Sequence, residues 1–225
     1  MIATALVTTS RFDAFNRLLL ALSIGCGAAY LILPAFPGSV IIKVLSIAPL
    51  AVIAFRVLRD RDGLMLGNSL SFSTLGDMFL GLDADRLFIF GLASFLIAHL
   101  LYIVLFMRNR VITSNGQKTL AALLMIFSAS MFVWLWPNLG DMKLAVAVYL
   151  CAITGMGVTA LLAGFRAPWV VIGAMLFIVS DSMIAVSKFK SPVEYGNYLI
   201  WATYYIGQLF IALGYIREKQ SHKEA

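Results

Sequence analysis

The sequence predicts an all-α protein, a polytopic transmembrane bundle of about eight helices with its N- and C-termini in the cytoplasm. Two observations predict this fold class. Of the 225 residues, 61% are hydrophobic and only 12% are charged, whereas soluble domains are about one-quarter charged. The apolar residues also form successive runs of roughly 20, the length of an α-helix that crosses a bilayer. Because the stretches between these runs reach only about ten residues, we expect one integral membrane domain over residues 1–225.

Eight spans are predicted, and the breaks between them carry Pro, Gly and charged residues, which commonly end helices. The first span follows a short charged segment and resembles a signal peptide in this respect. It has no convincing small-residue cleavage site and more spans follow at once, so we expect it to be retained. In chain order the predicted spans cover residues 14–33, 39–58, 66–82, 87–107, 118–136, 142–163, 169–189 and 196–216.

The third span, 66–82, differs from the others. It is short and contains a series of amide and hydroxyl residues, namely Asn68, Ser69, Ser71, Ser73 and Thr74. Such side chains are unfavourable against lipid but can form hydrogen bonds between helices. We therefore expect this helix to be packed inside the bundle. The charged segments on either side of it, 60–63 and 83–85, are interpreted as solvated loops.

The remaining spans are more uniformly apolar. Cys26 and Cys151 lie inside spans and are interpreted as small buried side chains rather than as a disulfide. Four tryptophans lie near predicted span ends, a position typical of side chains at the membrane–water interface: Trp134, Trp136, Trp169 and Trp201.

The distribution of Lys and Arg predicts the orientation. With the N-terminus inside, twelve of the 17 Lys and Arg residues lie at the cytoplasmic ends of the spans and five at the other ends, which agrees with the positive-inside rule. We attribute the formal net charge of +6 to these cytoplasmic anchors and expect no nucleic-acid partner. The short loops and compact size favour a multi-pass protein of a bacterial inner membrane.

Two aspartates lie deep inside otherwise apolar segments: Asp77 in GDMFLGL, and Asp181 next to Ser180 in IVSDSMIAV. A carboxylate this far from a helix end costs several kcal/mol unless it is paired or faces water. The pattern predicts an intramembrane acid/base site, and hydrogen bonds that only pack helices together are the alternative. Lys43 lies about a turn inside the second span and either extends to the surface or neutralises one of these aspartates.

Further polar residues inside spans are candidates for the same site. His99 and Tyr102 are three residues apart, and Tyr204 and Gln208 are four apart, so the members of each pair share a helix face. The second histidine of the chain is His222, in the hydrophilic tail. A zinc site would have to combine His99 with carboxylates, without the usual set of His or Cys ligands, and we expect neither a metal nor another cofactor.

The order and spacing of these residues resemble the lysoplasmalogenase family of YhhN-type membrane proteins. No single piece is specific, and the resemblance depends on their succession from the second helix to the last. The residues that carry it are Lys43, Pro49, Gly76, Asp77, Phe88, Gly91, Phe95, His99, Tyr102, Phe177, Ser180, Asp181, Thr203, Tyr204, Tyr205 and Gln208.

The resemblance implies an eight-helix bundle that hydrolyses the vinyl ether bond of lysoplasmalogen to a fatty aldehyde and a glycerophospho-ethanolamine or -choline. The aspartates of the family's two motifs fall on Asp77 and Asp181, the expected catalytic residues. Cleavage protonates the β-carbon, and water then attacks the oxocarbenium ion, so one carboxyl group must be protonated and the other ionised. The residues expected to orient this pair or to bind the lipid head group are Lys43, His99, Tyr102, Ser180, Tyr204 and Gln208.

The implied partners are a lysophospholipid substrate and the lipid bilayer, and the oligomeric state is left open. Two other functions compete with hydrolysis. A small proton-coupled transporter would use Asp77, Asp181, Lys43 and His99 as a relay, but the broken helices typical of such proteins have only Pro49 and scattered glycines to form them. A non-catalytic scaffold would use the buried polar groups only to lock helices together.

Overall fold

The computed structural model describes residues 12–33, 36, 38–109 and 114–224. In this part of the chain it contains eight α-helices, and the predicted all-α bundle is confirmed. Two 3₁₀ helices, Trp136–Asn138 and Gly140–Met142, connect the fifth α-helix to the sixth. The α-helices are α1 (Ala14–Ile32), α2 (Ser39–Val57), α3 (Arg61–Leu82), α4 (Phe88–Met107), α5 (Asn115–Leu135), α6 (Lys143–Leu162), α7 (Trp169–Phe189) and α8 (Gly196–Glu224).

Seven helices are long and apolar enough to cross a membrane, and among the described helices α3 is the exception. It packs between α2 and α4 and buries the hydroxyl groups of Ser69 and Ser73, while Leu64 and Leu75 are exposed. Ser69 and Ser73 therefore face the protein, as the sequence predicts, whereas Asn68 of the same series is exposed. The exposed side chains of the other helices are largely apolar. These features are those of a multi-pass membrane protein.

Helix α3 begins earlier than predicted. The Asp60 side chain accepts a hydrogen bond from the backbone N–H of Gly63 (3.0 Å), which is the geometry of a helix N-cap, so α3 starts at Arg61 rather than at residue 66. The interpretation of 60–63 as a solvated loop was wrong, because Asp62 lies in the first turn of α3 and is only 6% exposed. At the other end of the chain, α8 continues to Glu224, beyond its predicted end at residue 216.

The buried carboxylate of Asp62 joins three helices at one end of the bundle. Its Oδ1 lies 2.6 Å from Nε of Arg108, which follows α4, and its Oδ2 lies 2.7 Å from Nζ of Lys219 on α8. Burial raises the pKa of Asp62, but the hydrogen bonds from Lys219 and Arg108 outweigh burial and hold the pKa below its usual value. The carboxylate is therefore ionised and fully paired, and it links the three helices at this end of the bundle.

Helices α7 and α8 pack backbone against backbone. A Cβ atom on Gly173 would collide with the carbonyl oxygen of Gly207, and one on Gly207 would collide with that of Gly173. Small residues permit this close approach between membrane helices. In the same interface the hydroxyl of Ser180 donates to the carbonyl of Ile200 (3.0 Å). This packing fixes the position of α7, which carries Asp181, relative to α8.

Candidate active site

A cavity of about 660 Å³ opens at the end of the bundle opposite Asp62. Its walls come from the C-terminal ends of α1, α3 and α7 and from the N-terminal ends of α2, α4 and α8. Both aspartates predicted to be catalytic line this cavity, together with Lys43 and Tyr204. Residues that lie far apart in the sequence therefore share one enclosed space.

Asp77 lies on the cavity wall formed by α3 and is 4% exposed. Its Oδ2 accepts a hydrogen bond from the hydroxyl of Tyr204 on α8 (2.6 Å). Gly76, next to Asp77, allows the ring of Phe95 to pack directly against α3, since a Cβ at that position would overlap the ring. The carboxyl group is thus held between α3, α4 and α8.

Asp181 is part of a second hydrogen-bonded cluster on the same cavity. Its Oδ2 accepts a hydrogen bond from the hydroxyl of Tyr149 on α6. Nε2 of His99 on α4 lies 3.0 Å from that hydroxyl and 3.7 Å from Oδ2 of Asp181. Because the hydroxyl hydrogen of Tyr149 is directed to Asp181, His99 donates its Nε2–H to the tyrosine oxygen. Its Nδ1 has no hydrogen-bond partner among the described residues.

Tyr149 was not identified from the sequence. Tyrosines in membrane proteins usually mark the interface, so a tyrosine in an apolar helix does not by itself indicate a functional site. Tyr149 could have been selected by its depth in the helix, because it lies about two turns inside α6, too deep for an interfacial ring. Gln208 was selected from the sequence for the same reason, its position well inside a predicted span.

Two phenyl rings lie between the surroundings of Asp77 and those of Asp181. Phe177 contacts the ring of His99 at a centroid distance of 4.8 Å and that of Tyr204 at 5.1 Å. Phe95 contacts Phe177 at 6.0 Å and Tyr204 at 5.8 Å. These rings connect the surroundings of Asp77 and Asp181 and hold their hydrogen-bond donors in place. Rigid placement of this kind is what acid/base chemistry requires.

The sequence left open whether the side chain of Lys43 extends to the surface or toward the buried aspartates. In the structure it lines the cavity that contains them. Its Nζ lies 5.1 Å from the ring centroid of Tyr30 and 5.6 Å from that of Trp201, a distance at which an ammonium group is attracted to an aromatic face. The ammonium group therefore contributes a positive charge to the same space as the two aspartates.

Three of the predicted orienting residues contribute indirectly. The hydroxyl of Tyr102 donates to Oε1 of Gln208 (2.8 Å), and both side chains are fully buried behind the cavity. Gln208 lies one helical turn after Tyr204, so this pair supports the residue that contacts Asp77. Ser180 borders the cavity, but its hydroxyl is engaged with α8. The Tyr102–Gln208 pair and the hydroxyl of Ser180 therefore form contacts within the protein.

The rim of the cavity carries an ion pair. Nζ of Lys188 on α7 lies 2.7 Å from Oδ1 of Asp85 in the loop between α3 and α4. The hydrogen bond from Lys188 lowers the pKa of Asp85, whose side chain is 92% exposed. The interpretation of 83–85 as a solvated loop therefore holds for exposure, and the pairing with α7 was not foreseen.

No group of three His, Cys, Asp or Glu side chains suited to a metal ion occurs in the described part of the chain. The side chain of His222 lies outside the described residues. Asp181 and His99 alone offer two of the three or four ligands that a catalytic zinc requires. The chemistry available to this site is that of carboxyl, hydroxyl, imidazole and ammonium groups.

Residues 38–215 match the sequence profile of the YhhN family. The lysoplasmalogenase of Mycobacterium tuberculosis is 33% identical over 187 residues, which cover 81% of this chain and 69% of that protein. Lysoplasmalogenase TMEM86A of Bos taurus is 36% identical over 160 residues, covering 67% of this chain and 65% of its own. Lysoplasmalogenase TMEM86B of Homo sapiens is 33% identical over 154 residues, covering 68% and 64%. No solved structure matches the chain.

Proposed function

The chain belongs to the YhhN family, and on this premise we propose that it is an intramembrane hydrolase that cleaves the vinyl ether bond of lysoplasmalogen-type lysophospholipids. The products are a fatty aldehyde and glycerophospho-ethanolamine or -choline. One observation carries the proposal: Asp77 and Asp181 face the same cavity, and each accepts a hydrogen bond from a tyrosine hydroxyl. The relatives that bear the name lysoplasmalogenase support the choice of reaction.

The reaction consumes one water molecule and needs one acid and one base. The acid protonates the β-carbon of the vinyl ether, and the electrons of the double bond form the new C–H bond, which leaves an oxocarbenium ion. Water adds to the carbon of this ion while the base accepts a proton from the water. When the hemiacetal collapses, its hydroxyl proton returns to the first carboxylate, and the second carboxyl group protonates the departing glycerol oxygen. Both groups thereby regain their initial states.

We assign the acid role to Asp77 and the base role to Asp181 from their hydrogen bonds. The Asp181 carboxylate accepts from Tyr149, whose oxygen in turn accepts from His99, and a chain of donors of this kind stabilises negative charge. Asp77 is more deeply buried and has Tyr204 as its hydrogen-bond donor among the described residues. A neutral carboxylic acid is the form that such an enclosed position tolerates best.

Lys43 is assigned to the phosphate of the substrate. The lysolipid head group carries a phosphodiester, and Lys43 contributes an ammonium group to the cavity that contains both aspartates. Tyr30 and Trp201 hold this ammonium by contacts to their ring faces. Binding of the phosphate at Lys43 would place the neighbouring glycerol, and with it the ether oxygen, inside the cavity.

We further propose a single membrane domain over residues 1–225, with both termini cytoplasmic, in a bacterial inner membrane. The support is the excess of Lys and Arg at one end of the bundle, the end that holds Asp62, Arg108 and Lys219. In this orientation the cavity opens on the non-cytoplasmic side. This orientation can be tested with single cysteines introduced at residues 85 and 220 and a membrane-impermeant label applied to intact cells. Labelling at residue 85 only would agree with the orientation, and labelling at residue 220 only would contradict it.

The experiment that tests the reaction compares three lysolipids with the same head group and chain. Purified protein in detergent is given the vinyl ether, the saturated ether and the ester, and aldehyde and fatty acid release are followed. We expect aldehyde from the vinyl ether alone, because only its double bond can accept the proton. Fatty acid from the ester would indicate a different lipase activity. No release from any lipid by folded protein would contradict hydrolysis, and proton flux in proteoliposomes would then favour the transporter.

A further inference from the structure

A second, narrower space adjoins the cavity. It is a groove of about 80 Å³ between α4, α5, α6 and α7. The two spaces have wall residues in common, and these mark the place where they meet: Leu80, Phe88, Phe95, Asp181 and Ile184. Asp181 is the polar member of this shared wall. A ligand that extends from one space into the other passes along this shared wall, which presents the carboxyl group of Asp181.

The groove offers almost no polar contacts to a ligand. Most of its lining consists of aliphatic and phenyl side chains, including Phe127, Phe132 and Val146. Its hydroxyl groups belong to Ser128, Tyr149 and Ser182. That of Ser128 accepts a hydrogen bond from Thr154 (2.8 Å), and that of Tyr149 donates to Asp181, so two of the three are engaged within the protein. The surroundings are those of a site for hydrocarbon.

The groove is long as well as narrow. On α7 its wall extends from Ile178 to Phe189, which corresponds to about 16 Å along the helix axis at 1.5 Å per residue. This length combined with the small volume suits one extended hydrocarbon chain. The wider cavity of about 660 Å³ suits the bulkier head group.

We infer that the groove binds the single alkenyl chain of the lysolipid and holds the vinyl ether against Asp181, with the head group in the cavity beside Lys43. The inference rests on the proposed function. A lysolipid has one polar head and one chain joined at the glycerol, and the protein has one polar cavity and one apolar groove joined at Asp181. A membrane phospholipid has two chains, one more than this groove accommodates.

The groove should then determine which chain lengths are cleaved. Ala185 lies on α7, one helical turn beyond Asp181 toward the helix end, and packs beside Leu135 and Val146. A larger side chain at residue 185 would block the groove without touching the cavity. Ala122 on α5 is exposed on the outer surface of the bundle and provides the same substitution outside the groove.

The experiment compares Ala185→Phe with the control Ala122→Phe. Two quantities are measured for short- and long-chain lysolipids: kcat/KM for the vinyl ethers, and the association constant (1/Kd) of the saturated ethers, which bind without being cleaved. Ala185→Phe should lower the long-to-short ratio of both quantities about tenfold, the effect of one side chain that overpacks a filled apolar site. Ala122→Phe should leave both ratios at the wild-type value.

Phe132→Ala widens the groove and serves as the second variant should Ala185→Phe fail to fold. It should raise the long-to-short ratios, and unchanged ratios in the folded variant would overturn the inference. If the vinyl ethers are cleaved but Ala185→Phe leaves the ratios unchanged, the groove is not the chain site and the proposed reaction stands. If the binding ratio shifts without any cleavage, the chain site stands and the proposed reaction fails.

Discussion

Helix α3 carries one buried aspartate near each of its ends, and the fold gives the two different surroundings. Asp62 is ion-paired through both carboxylate oxygens, to Arg108 at 2.6 Å and to Lys219 at 2.7 Å. Asp77 accepts a hydrogen bond from Tyr204 (2.6 Å) and faces an open cavity. The exposures of the two residues, 6% and 4%, hardly differ. The fold therefore engages one buried carboxyl group in ion pairs and leaves the other on the wall of a cavity.

The two ends of the bundle repeat this difference on a larger scale. At the Asp62 end, charges of opposite sign meet directly and close the structure. At the other end, Asp77, Asp181 and Lys43 are distributed around one cavity and are contacted mainly by hydroxyl groups and aromatic rings. Substitutions at the first end should therefore change stability, and substitutions at the second should change turnover.

The largest effect is expected from neutral substitutions of the two cavity aspartates. Asp77→Asn and Asp181→Asn should each lower kcat for the vinyl ether about 1,000-fold, because each removes one partner of the acid/base pair. The midpoint of thermal unfolding in detergent should stay at or above the wild-type value, since a buried ionisable group is replaced by a neutral one. Asp141→Asn, an exposed aspartate outside the cavity, should retain full activity. Wild-type turnover by either folded cavity variant would rule out its assigned role.

Asp62→Asn should have the opposite consequences. It leaves Arg108 and Lys219 facing each other without the shared carboxylate and should lower the free energy of unfolding by about 2 kcal/mol, less than for a fully buried pair because Arg108 is partly exposed. Turnover per folded molecule should be unchanged. Asp60→Asn, two residues away, keeps a good N-cap and should cost much less. Equal losses in the two variants would show that the ion pairs do not stabilise this end.

A smaller effect on turnover is expected from Tyr149→Phe. Removing its hydroxyl breaks the link between His99 and Asp181 and should lower kcat about tenfold through loss of a hydrogen bond to a charged group. Tyr215→Phe is the matched control at the other end, where the tyrosine oxygen accepts a hydrogen bond from Asn109 (2.9 Å). It should change stability and leave kcat as it is. Equal kcat values for the two variants would show that the hydroxyl of Tyr149 has no role in the reaction.

The smallest effect is a change of stability with pH at the Asp62 end. Because the ion pairs hold the pKa of Asp62 below its usual value, the stabilisation is complete above the unfolded-state pKa, about 3.9, and is lost as the pH falls through the lower folded-state pKa. The difference in unfolding midpoint between wild type and Asp62→Asn should therefore be constant near neutral pH and shrink below about pH 4. A difference that widens in acid would contradict this sign.

The sequence was sufficient for the bundle and for the centre of the candidate site. Polar side chains stand out in apolar spans, which is why Asp77, Asp181 and His99 could be selected before their contacts were known, and why α3 was recognised as the polar helix. Their chemical roles are still predictions. The family resemblance was carried by the same residues, and it is confirmed by the match over residues 38–215.

The rest depended on contacts between distant parts of the chain. Asp62 looked like a loop residue because its partner Arg108 lies 46 residues further along and nothing local reveals that they meet. Tyr149 could not be linked to His99 and Asp181 from the sequence, because these partners lie 50 and 32 residues away from it. The side chain of Lys43 is long enough to reach either the surface or the interior, and only packing against Tyr30 and Trp201 decides between them.

In the proposed reaction, a carboxyl group of the cavity protonates the β-carbon of a vinyl ether. A reaction in D₂O tests this proton transfer. The aldehyde is trapped as it forms, and its mass is compared with that of the same aldehyde incubated with the protein in D₂O. Protonation by an exchangeable carboxyl group predicts one deuterium on the carbon next to the carbonyl, and product formation about 1,000-fold slower with Asp77→Asn. An aldehyde without deuterium, or deuterated aldehyde released by Asp77→Asn at the wild-type rate, would contradict the claim.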